Sequence, residues 1–424
     1  MTGLILGCIA DDLTGATDLA NALARRGMHV VQTIGAPAPN DPVPEAEAIV
    51  VAMKSRTNPA QEAVAMSLAA CRWLKQAGAR QLYFKYCSTF DSTDQGNIGP
   101  VADALLQELR ADFSIACPAF PETGRTIYLG HLFVGRQLLS DSPMRNHPLT
   151  PMTDANLVRV LQRQTKSKVD LVPLATMRQG AAAVRGAFDA LAKNGARYAI
   201  TDAVEDNDLL ILGEACAGLK LVTGGSGAAI GLPENFRRAG LIPKRDAVAA
   251  LPKVGGLGAV LAGSASQATL GQVAAMRAKH PAFPLDPFKI AANPDGIVAE
   301  ALDWAKPKLP AGPVLIYASA PPDQVASVQA KLGREHAGAM IEAALAKIAQ
   351  GLVAAGVRRL VVAGGETSGA VVQGLGVKAL RIGPQIDPGV PATLAIGKPE
   401  LALALKSGNF GGEDFFMKAL DHLK

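Results

Sequence analysis

Charged side chains follow three apolar segments in the first hundred residues of this chain. Asp11 and Asp12 end the first segment, Arg56 follows the second, and Lys85 ends the third, with Asp91 shortly after it. Arginine and lysine suit the binding of an anionic group, and a carboxylate can orient a hydroxyl group or accept its proton. Turn and capping roles are the alternative for each residue taken singly. Taken together, these residues predict a binding site for a small molecule.

Three segments in the second half share one design, in which an apolar run leads into small residues and then into a helical pattern. They are residues 263–266, 364–369 and 407–412, and glycine, serine and threonine dominate them. Glycine lets the backbone approach a phosphate closely, and a helix N-terminus offers free N–H groups to it. The chain has neither a GxxxxGK[ST] loop nor a GxGxxG turn. The three segments therefore predict a nucleotide site of a less common type.

The elements that position these residues alternate between strand and helix. Apolar runs that predict strands cover residues 4–10, 30–34, 48–53, 82–86, 113–117, 257–262, 314–318, 360–363 and 401–405. Helical patterns lie between them, including one over residues 98–109 and one that Asn58 and Pro59 begin as N-cap and first residue. Alternation of this kind is typical of a parallel sheet covered by helices, and ligands bind at the carboxyl ends of its strands.

Length and composition favour two domains without disorder. The chain has 424 residues, of which 49% are hydrophobic, and a Pro- and Gly-rich stretch at 240–256 predicts the linker. We therefore expect an α/β protein with domains at 1–240 and 257–424, each a mostly parallel sheet covered by helices, and an active site in the cleft between them. The net charge of +5 is spread over scattered basic residues, which disfavours nucleic acid as a partner.

Cysteine spacing and hydropathy bear on location. Five widely spaced cysteines include no CxxC pair, which favours reduced thiols. The first residues lack the pattern of a signal peptide, and no uninterrupted apolar run reaches the ~18 residues of a membrane span. These features predict a cytoplasmic protein with no membrane partner.

One segment is more specific than any of these patterns. Residues 9–20, IADDLTGATDLA, resemble the opening of the four-carbon acid sugar kinase family. The resemblance continues through residues 54–56, 85–99 (KYCSTFDSTDQGNIG), 118–130 (PAFPETGRTIYLG), 224–227, 263–266 and 364–369. In that family the N-terminal domain binds the acid sugar and the C-terminal domain binds ATP.

The resemblance implies which residues belong to each site. On the sugar side it implies catalytic roles for Asp11 and Asp12, and it implies substrate binding by Arg56, Lys85, Asp91 and Asn97. On the ATP side it implies Ser264, Gly364, Gly365, Glu366, Thr367 and Gly408, to which we add the neighbouring Ser266. We expect Mg²⁺ to accompany ATP, and the sequence identifies no protein ligand for it.

The stretch from Lys85 to Asn97 bears on the substrate. Threonate and erythronate kinases tend to have K-x-D-S-T-L-R-G-N here, whereas this chain has extra residues and lacks the arginine. That departure resembles the 3-oxo-tetronate kinase branch, which phosphorylates the terminal C4 hydroxyl of a 3-keto acid. Either Asp11 or Asp12 would then orient this hydroxyl, and Arg56 and Lys85 would hold the carboxylate and keto oxygen.

Several alternatives stay open from the sequence. The acceptor could be threonate or erythronate, and Lys85 could instead form the Schiff base of a keto-acid lyase or aldolase. A two-lobed binding protein is a weaker candidate, because the second half carries the glycine-rich segments. A nicotinamide oxidoreductase is also weaker, because the chain has no GxGxxG turn. A homodimer is a further expectation.

Overall fold

The computed structural model describes residues 3–147, 149–245 and 250–424. It divides into two compact units, Met1–Val248 (unit 1) and Ala249–Lys424 (unit 2). Residues 246–249 of the expected linker lie outside the described residues.

Unit 1 contains a parallel sheet with strand order β2-β3-β1-β4-β11-β5-β10-β9 and a small antiparallel sheet β6-β7-β8. The strands are Leu6–Ala10 (β1), Val30–Ile34 (β2), Ala48–Ala52 (β3), Gln81–Lys85 (β4), Ser114–Cys117 (β5), Arg125–Tyr128 (β6), His131–Val134 (β7), Gln137–Leu138 (β8), Lys168–Val172 (β9), Ala196–Thr201 (β10) and Leu221–Gly224 (β11). Strands β1, β3 and β4 are buried along their whole length, as expected when helices cover both faces of a parallel sheet.

The helices of unit 1 connect these strands in sequence. They are Leu13–Arg25 (α1), Ala60–Gln76 (α2), Ile98–Leu109 (α3), Leu157–Gln162 (α4), Leu174–Met177 (α5), Ala181–Lys193 (α6), Asp206–Ala215 (α7) and Leu232–Arg238 (α8). The prediction of Asn58 as an N-cap was wrong by one residue, because helix α2 begins at Ala60 with Pro59 in the cap position. The Asn58 side chain instead donates to Glu62, 3.2 Å away.

Unit 2 contains a sheet with strand order β13-β14-β12-β15-β18-β17-β16. The strands are Leu257–Ala262 (β12), Ala282–Pro284 (β13), Val314–Tyr317 (β14), Val357–Ala363 (β15), Ala379–Asp387 (β16), Val390–Ala395 (β17) and Ala402–Lys406 (β18). The pairings from β13 to β18 are parallel, whereas β18-β17 and β17-β16 are antiparallel. The β16-β17 hairpin was not expected from the sequence, although its turn contains Gly389 with a φ of +77°.

The helices of unit 2 are Gln267–Arg277 (α9), Pro287–Ala292 (α10), Pro294–Ala305 (α11), Pro322–Leu332 (α12), Arg334–Ala354 (α13), Gly365–Gly374 (α14) and Phe415–His422 (α15). Within α13, Glu335–Ala354 is long and apolar enough to cross a membrane by length and composition, unlike any other helix in the described residues. This helix also packs against α11, α12 and α14, and it buries Leu345, Ile348 and Leu352 completely. Of its apolar stretch, 33% is buried in the structure.

The predicted fold class is confirmed as a two-domain α/β architecture of mostly parallel sheets covered by helices. Strand and helix positions agree with the predictions to within a few residues, and helix α3 agrees at both ends. The expected loop at 364–369 is a partial exception, since helix α14 already begins at Gly365. The placement of the active site in a cleft between the domains stays a prediction.

Candidate active site

The register of the unit 1 sheet explains why distant acidic and basic residues meet. Strand β1 lies between β3 and β4, and Ala10 pairs with both Ala52 and Lys85. The three strands therefore end at one level. Asp11 and Arg56 follow two of these ends, and Lys85 is the last residue of β4. The predicted cluster of charges is thus assembled at the carboxyl edge of the sheet.

Arg56 forms the centre of this cluster. Its Nε and Nη2 donate to the two carboxylate oxygens of Asp11 at 2.8 Å each, and Nη2 also donates to Asp12 at 2.5 Å. Nη1 lies 3.8 Å from a carboxylate oxygen of Asp91. The bidentate contact fixes the guanidinium plane and uses both oxygens of Asp11. Because both of its carboxylate oxygens are taken up by Arg56, Asp11 supports Arg56 in this structure.

Asp12 is the more accessible carboxylate and caps helix α1. It accepts hydrogen bonds from the Thr14 hydroxyl at 2.8 Å and the Gly15 backbone N–H at 3.1 Å, and its side chain is 26% exposed. Burial would raise the pKa of Asp12, but Arg56, Lys85 and the cap donors together hold it well below its usual range. Asp12 is therefore a carboxylate throughout the physiological pH range.

Lys85 is buried and lies against the first turn of α1. Its Nζ is 3.3 Å from Asp12, and a β-carbon at Gly15 would come within 1.8 Å of that Nζ. Glycine is therefore required at this position for Lys85 to reach Asp12. Burial lowers the pKa of Lys85, but the carboxylates of Asp12 and Asp11 more than offset this, so that its pKa is raised overall. The ammonium form dominates at neutral pH.

The segment after Lys85 makes a tight turn that aims Asp91 at the cluster. Phe90 and Asp91 both have positive φ, at +66° and +48°, which is uncommon for residues other than glycine. The turn is held by the Thr89 hydroxyl, which donates to Asp91 at 2.7 Å, and by Phe90, which is fully buried against Tyr86. Backbone strain of this kind persists where surrounding contacts enforce it, often at functional sites.

Asn97 contacts the cluster indirectly. Its side-chain amide donates to the backbone oxygens of Ser55, Arg56 and Asn58 at 2.8, 3.2 and 3.1 Å. These three contacts hold the loop that carries Arg56. The geometry therefore supports a positioning role for Asn97.

The predicted nucleotide residues of unit 2 also meet at one sheet edge. Strands β12, β15 and β18 are adjacent, and Ala262, Ala363 and Lys406 stand in register. Backbone hydrogen bonds of 3.0 Å join Gly263 to Ala363 and Gly364 to Lys406. Gly364 has a φ of +124°, which favours glycine, and it precedes the first turn of α14. The three segments therefore form one backbone surface.

Ser264, Ser266 and Gly408 are brought together on this surface. The Ser266 hydroxyl donates to the Gly408 backbone oxygen at 2.6 Å and caps helix α9 at Thr269. A β-carbon at Gly408 would come within 2.3 Å of the Ser264 hydroxyl oxygen, so the two segments pack in direct contact. Two residues that the sequence did not single out, Thr269 and Lys406, also donate to the Gly408 backbone oxygen. The available signal was that Lys406 ends an apolar strand and that Thr269 lies in the first turn of the helix after another.

A cavity of about 300 Å³ opens beside these segments within unit 2. Gly263, Ser264, Gly364 to Thr367 and the start of α14 form its polar end. Its other walls come mainly from α12 and α13 and are mostly apolar, through Val325, Val328 and Ile341, with Gln329 and Glu342 also lining them. A polar end rich in backbone N–H groups and an apolar end suit the phosphates and the base of a nucleotide respectively. The apolar walls were not foreseen, because α12 and α13 give no distinctive sequence motif.

Comparison with known proteins supports this division of the chain. Residues 6–232 match the family described as "Sugar-binding N-terminal domain", and residues 259–416 match "Nucleotide-binding C-terminal domain". A protein of Burkholderia multivorans named 3-oxo-tetronate kinase is 64% identical, over 98% of this chain and 96% of that protein. A protein of Cupriavidus necator with the same name is 62% identical, over 99% and 97% of the two chains.

A solved structure shares the fold over the same extent. The Salmonella typhimurium protein, provisionally described as a tRNA synthase, superposes with a TM-score of 0.89 at 42% identity, over 98% of each chain. Two α/β units that match families described as sugar-binding and nucleotide-binding, together with relatives named as kinases, define a kinase of small molecules. This chain belongs to the four-carbon acid sugar kinase family, within its 3-oxo-tetronate kinase branch.

Proposed function

We propose that this protein transfers the γ-phosphoryl group of ATP to the C4 hydroxyl of a 3-oxo-tetronate. The observation that carries the proposal is the near-full-length identity, 64% and 62%, to two proteins named 3-oxo-tetronate kinase. The charged cluster of unit 1 and the cavity of unit 2 supply the two kinds of site that such a reaction needs.

On the acceptor side, Arg56 and Lys85 bind the carboxylate and keto oxygen of the substrate. Nη1 of Arg56 is the guanidinium nitrogen that neither Asp11 nor Asp12 occupies in the structure, since both bind its other nitrogens. Asp91 lies beside Nη1 and would contact a substrate hydroxyl. Asn97 contributes by holding the Arg56 loop.

Between the two adjacent carboxylates, Asp12 is the one that orients the C4 hydroxyl. Asp11 is occupied by the bidentate contact with Arg56, whereas Asp12 keeps an exposed surface. A carboxylate with a strongly lowered pKa is a weak base. Phosphoryl transfer through a loose transition state tolerates this, because positioning and charge stabilisation contribute most of the rate.

On the ATP side, Ser264 and the Gly364 to Thr367 segment line the cavity and surround the phosphates, and the apolar end of the cavity holds the base. Ser266 and Gly408 are not among the residues that line the cavity, and they support the adjoining segment through their hydrogen bond. Among the described residues, no group of three or more His, Cys, Asp or Glu side chains could hold a metal ion. We therefore propose that Mg²⁺ enters as part of the MgATP complex, bound by phosphate oxygens and water.

The lyase alternative is disfavoured by the state of Lys85. A Schiff base forms from a neutral amine, whereas the neighbouring carboxylates keep Lys85 as ammonium. A tRNA-related activity is disfavoured by the scattered basic residues.

We also propose a cytoplasmic location, because the cysteines of the described residues are free thiols. The homodimer stays a prediction.

The test is an ADP-release assay with MgATP across both enantiomers of 3-oxo-tetronate, threonate, erythronate and the corresponding sugars. We expect turnover with the 3-oxo acids alone. Turnover with threonate or erythronate at a similar rate would contradict the substrate assignment and leave the kinase intact. Absence of ADP release with every acceptor would contradict the kinase itself.

A further inference from the structure

Lys406 is a buried lysine at the nucleotide edge of unit 2 to which the proposed mechanism gives no role. It ends strand β18, its side chain is fully buried, and it has no ion-pair partner among the described residues. Its Nζ donates to the Thr269 hydroxyl and to the Gly408 backbone oxygen, at 2.9 Å each. A buried ammonium without a carboxylate beside it is costly, so its position requires an explanation.

Lys406 connects all three segments of the nucleotide edge. Its backbone oxygen accepts from Gly364, and its side chain reaches Thr269 at the start of α9 and Gly408 in the third segment. The Gly408 oxygen also accepts from the Ser266 hydroxyl at 2.6 Å and from the Thr269 hydroxyl at 2.9 Å. Three donors thus fix one carbonyl group.

Fixing this carbonyl also fixes the N–H of the next residue. In a trans peptide unit the C=O and the following N–H point in opposite directions. Because the Gly408 oxygen points towards Lys406, the N–H of Asn409 points away from it. Lys406 thereby orients a backbone donor of the nucleotide edge without touching the ligand itself.

The charge state of Lys406 is set by burial alone. Burial lowers its pKa to about 7. The elements packed against β18 and the adjoining segment carry further charged residues, none of which offsets this lowering. These residues are Arg277 on α9, Arg358 and Arg359 on β15, Glu366 on α14, and Glu413 and Asp414 after β18. Asp387 on β16 also contacts this segment, because it accepts from the Gly412 backbone N–H, and it is paired with Lys418 on α15. Lys406 is therefore partly neutral near neutral pH in the absence of a ligand.

We infer that Lys406 is a positioning residue for the nucleotide, and that phosphates bound on the three segments draw a proton onto its amine. This inference rests on the proposed ATP site. The triphosphate supplies the negative charge that the protein interior lacks, which stabilises the ammonium form. ATP binding and protonation of Lys406 are then linked.

The sign of the pH dependence follows from this linkage. The protonated form binds ATP more tightly, so affinity is at its maximum below pH 7 and falls as pH rises through the pKa of the free protein. Above the pKa of the free protein, the Kd for ATP rises by roughly tenfold per pH unit, until the pKa of Lys406 in the ATP-bound protein is reached.

Calorimetry of MgATP binding without acceptor tests this, in two buffers of different ionisation enthalpy near pH ~8.5, where ATP itself takes up little proton. We expect the wild-type protein to take up ~0.5–1 proton per ATP bound. Lys406→Met should take up none, and its Kd should be independent of pH across the same range.

Gln272→Leu is the matched control, because Gln272 holds the same segment through the backbone oxygens of Phe410, Gly411 and Gly412 without a charge. It should weaken ATP binding yet keep the proton uptake.

The outcomes separate this inference from the function on which it rests. ATP binding by the wild type without proton uptake would overturn the role of Lys406 alone, as would proton uptake that persists in Lys406→Met. Because the wild-type measurement needs no variant, misfolding of Lys406→Met would not remove the test. A folded wild type that binds no ATP would overturn the nucleotide site and this inference with it.

Discussion

At the scale of single residues, five charged groups pair with one another before any substrate arrives. Arg56 contacts three carboxylates, and Lys85 contacts one of them. Three negative and two positive charges leave the group slightly negative. An incoming carboxylate must therefore bind through the cations while the neighbouring aspartates remain in place, which gives the site strict geometric demands.

Asp12→Asn provides the prediction at this scale. The amide keeps the size of the side chain but removes the charge that orients the C4 hydroxyl and pairs with Lys85. We expect kcat to fall on the order of 10²–10³-fold, with the KM for ATP nearly unchanged. Steady-state kinetics with each substrate varied in turn measures both values.

Asp11→Asn is the matched comparison for that experiment. It removes the bidentate support of Arg56 and is therefore expected to raise the KM for the acceptor as well as to lower kcat. If Asp12→Asn turned over near the wild-type rate while Asp11→Asn did not, the two roles would have to be exchanged.

At the scale of elements, the loop between β3 and α2 depends on a residue more than forty positions later in the chain. The amide of Asn97, at the N-cap position of α3, donates to three backbone oxygens of this loop. The backbone N–H groups of Ser55 and Arg56 also hold this loop, because both donate to the Asp11 backbone oxygen. The position of Arg56 thus depends on contacts with the end of β1 and with the start of α3.

Asn97→Ala should therefore weaken acceptor binding without unfolding the protein. Loss of these hydrogen bonds costs ~1–2 kcal/mol, equivalent to a KM for the acceptor raised on the order of tenfold, while the KM for ATP stays the same. Asn58→Ala is a control in the same loop, since its side chain contacts the exposed Glu62 instead. An equal effect of both variants would argue against the Asn97 contacts as the cause.

At the scale of the whole molecule, the cysteines are protected by the same packing that builds the sheet of unit 1. Cys8, Cys71, Cys117 and Cys216 are buried and Cys87 is half-buried, all of them as free thiols. Burial raises the pKa of Cys71 and Cys117 to about 11 and that of Cys87 to about 12. Thiolate is the reactive form, so all of these groups should be inert in the native state.

Titration with a thiol reagent near pH ~8 measures this directly. We expect the four buried thiols to react only after unfolding in guanidinium, and Cys87 to react slowly at most in the native protein. Cys87→Ser should abolish that slow reaction. Rapid native reaction of several thiols would show that the sheet opens far more readily than its buried strands indicate.

The sequence by itself determined the elements and the residue types of both sites. Continuous apolar runs that end in charged or small residues predict buried parallel strands, and this prediction is confirmed for β1, β3, β4, β12, β15 and β18. The segment from Ile9 to Ala20 resembled the family closely enough to predict it. The structure gives a reason for three of its residues, because Asp11 and Asp12 bind Arg56 and Gly15 leaves room for Lys85.

Only the tertiary structure decided which of these residues stand in contact. That Asp11 pairs with Arg56 while Asp12 stays accessible, and that the side chains of Asn97 and Lys406 donate to backbone oxygens, depends on strand order and register. The β16-β17 hairpin and the apolar walls from α12 and α13 were likewise decided there. Local sequence patterns report burial and turn preference, whereas such contacts join residues far apart in the chain, and no local pattern specifies them.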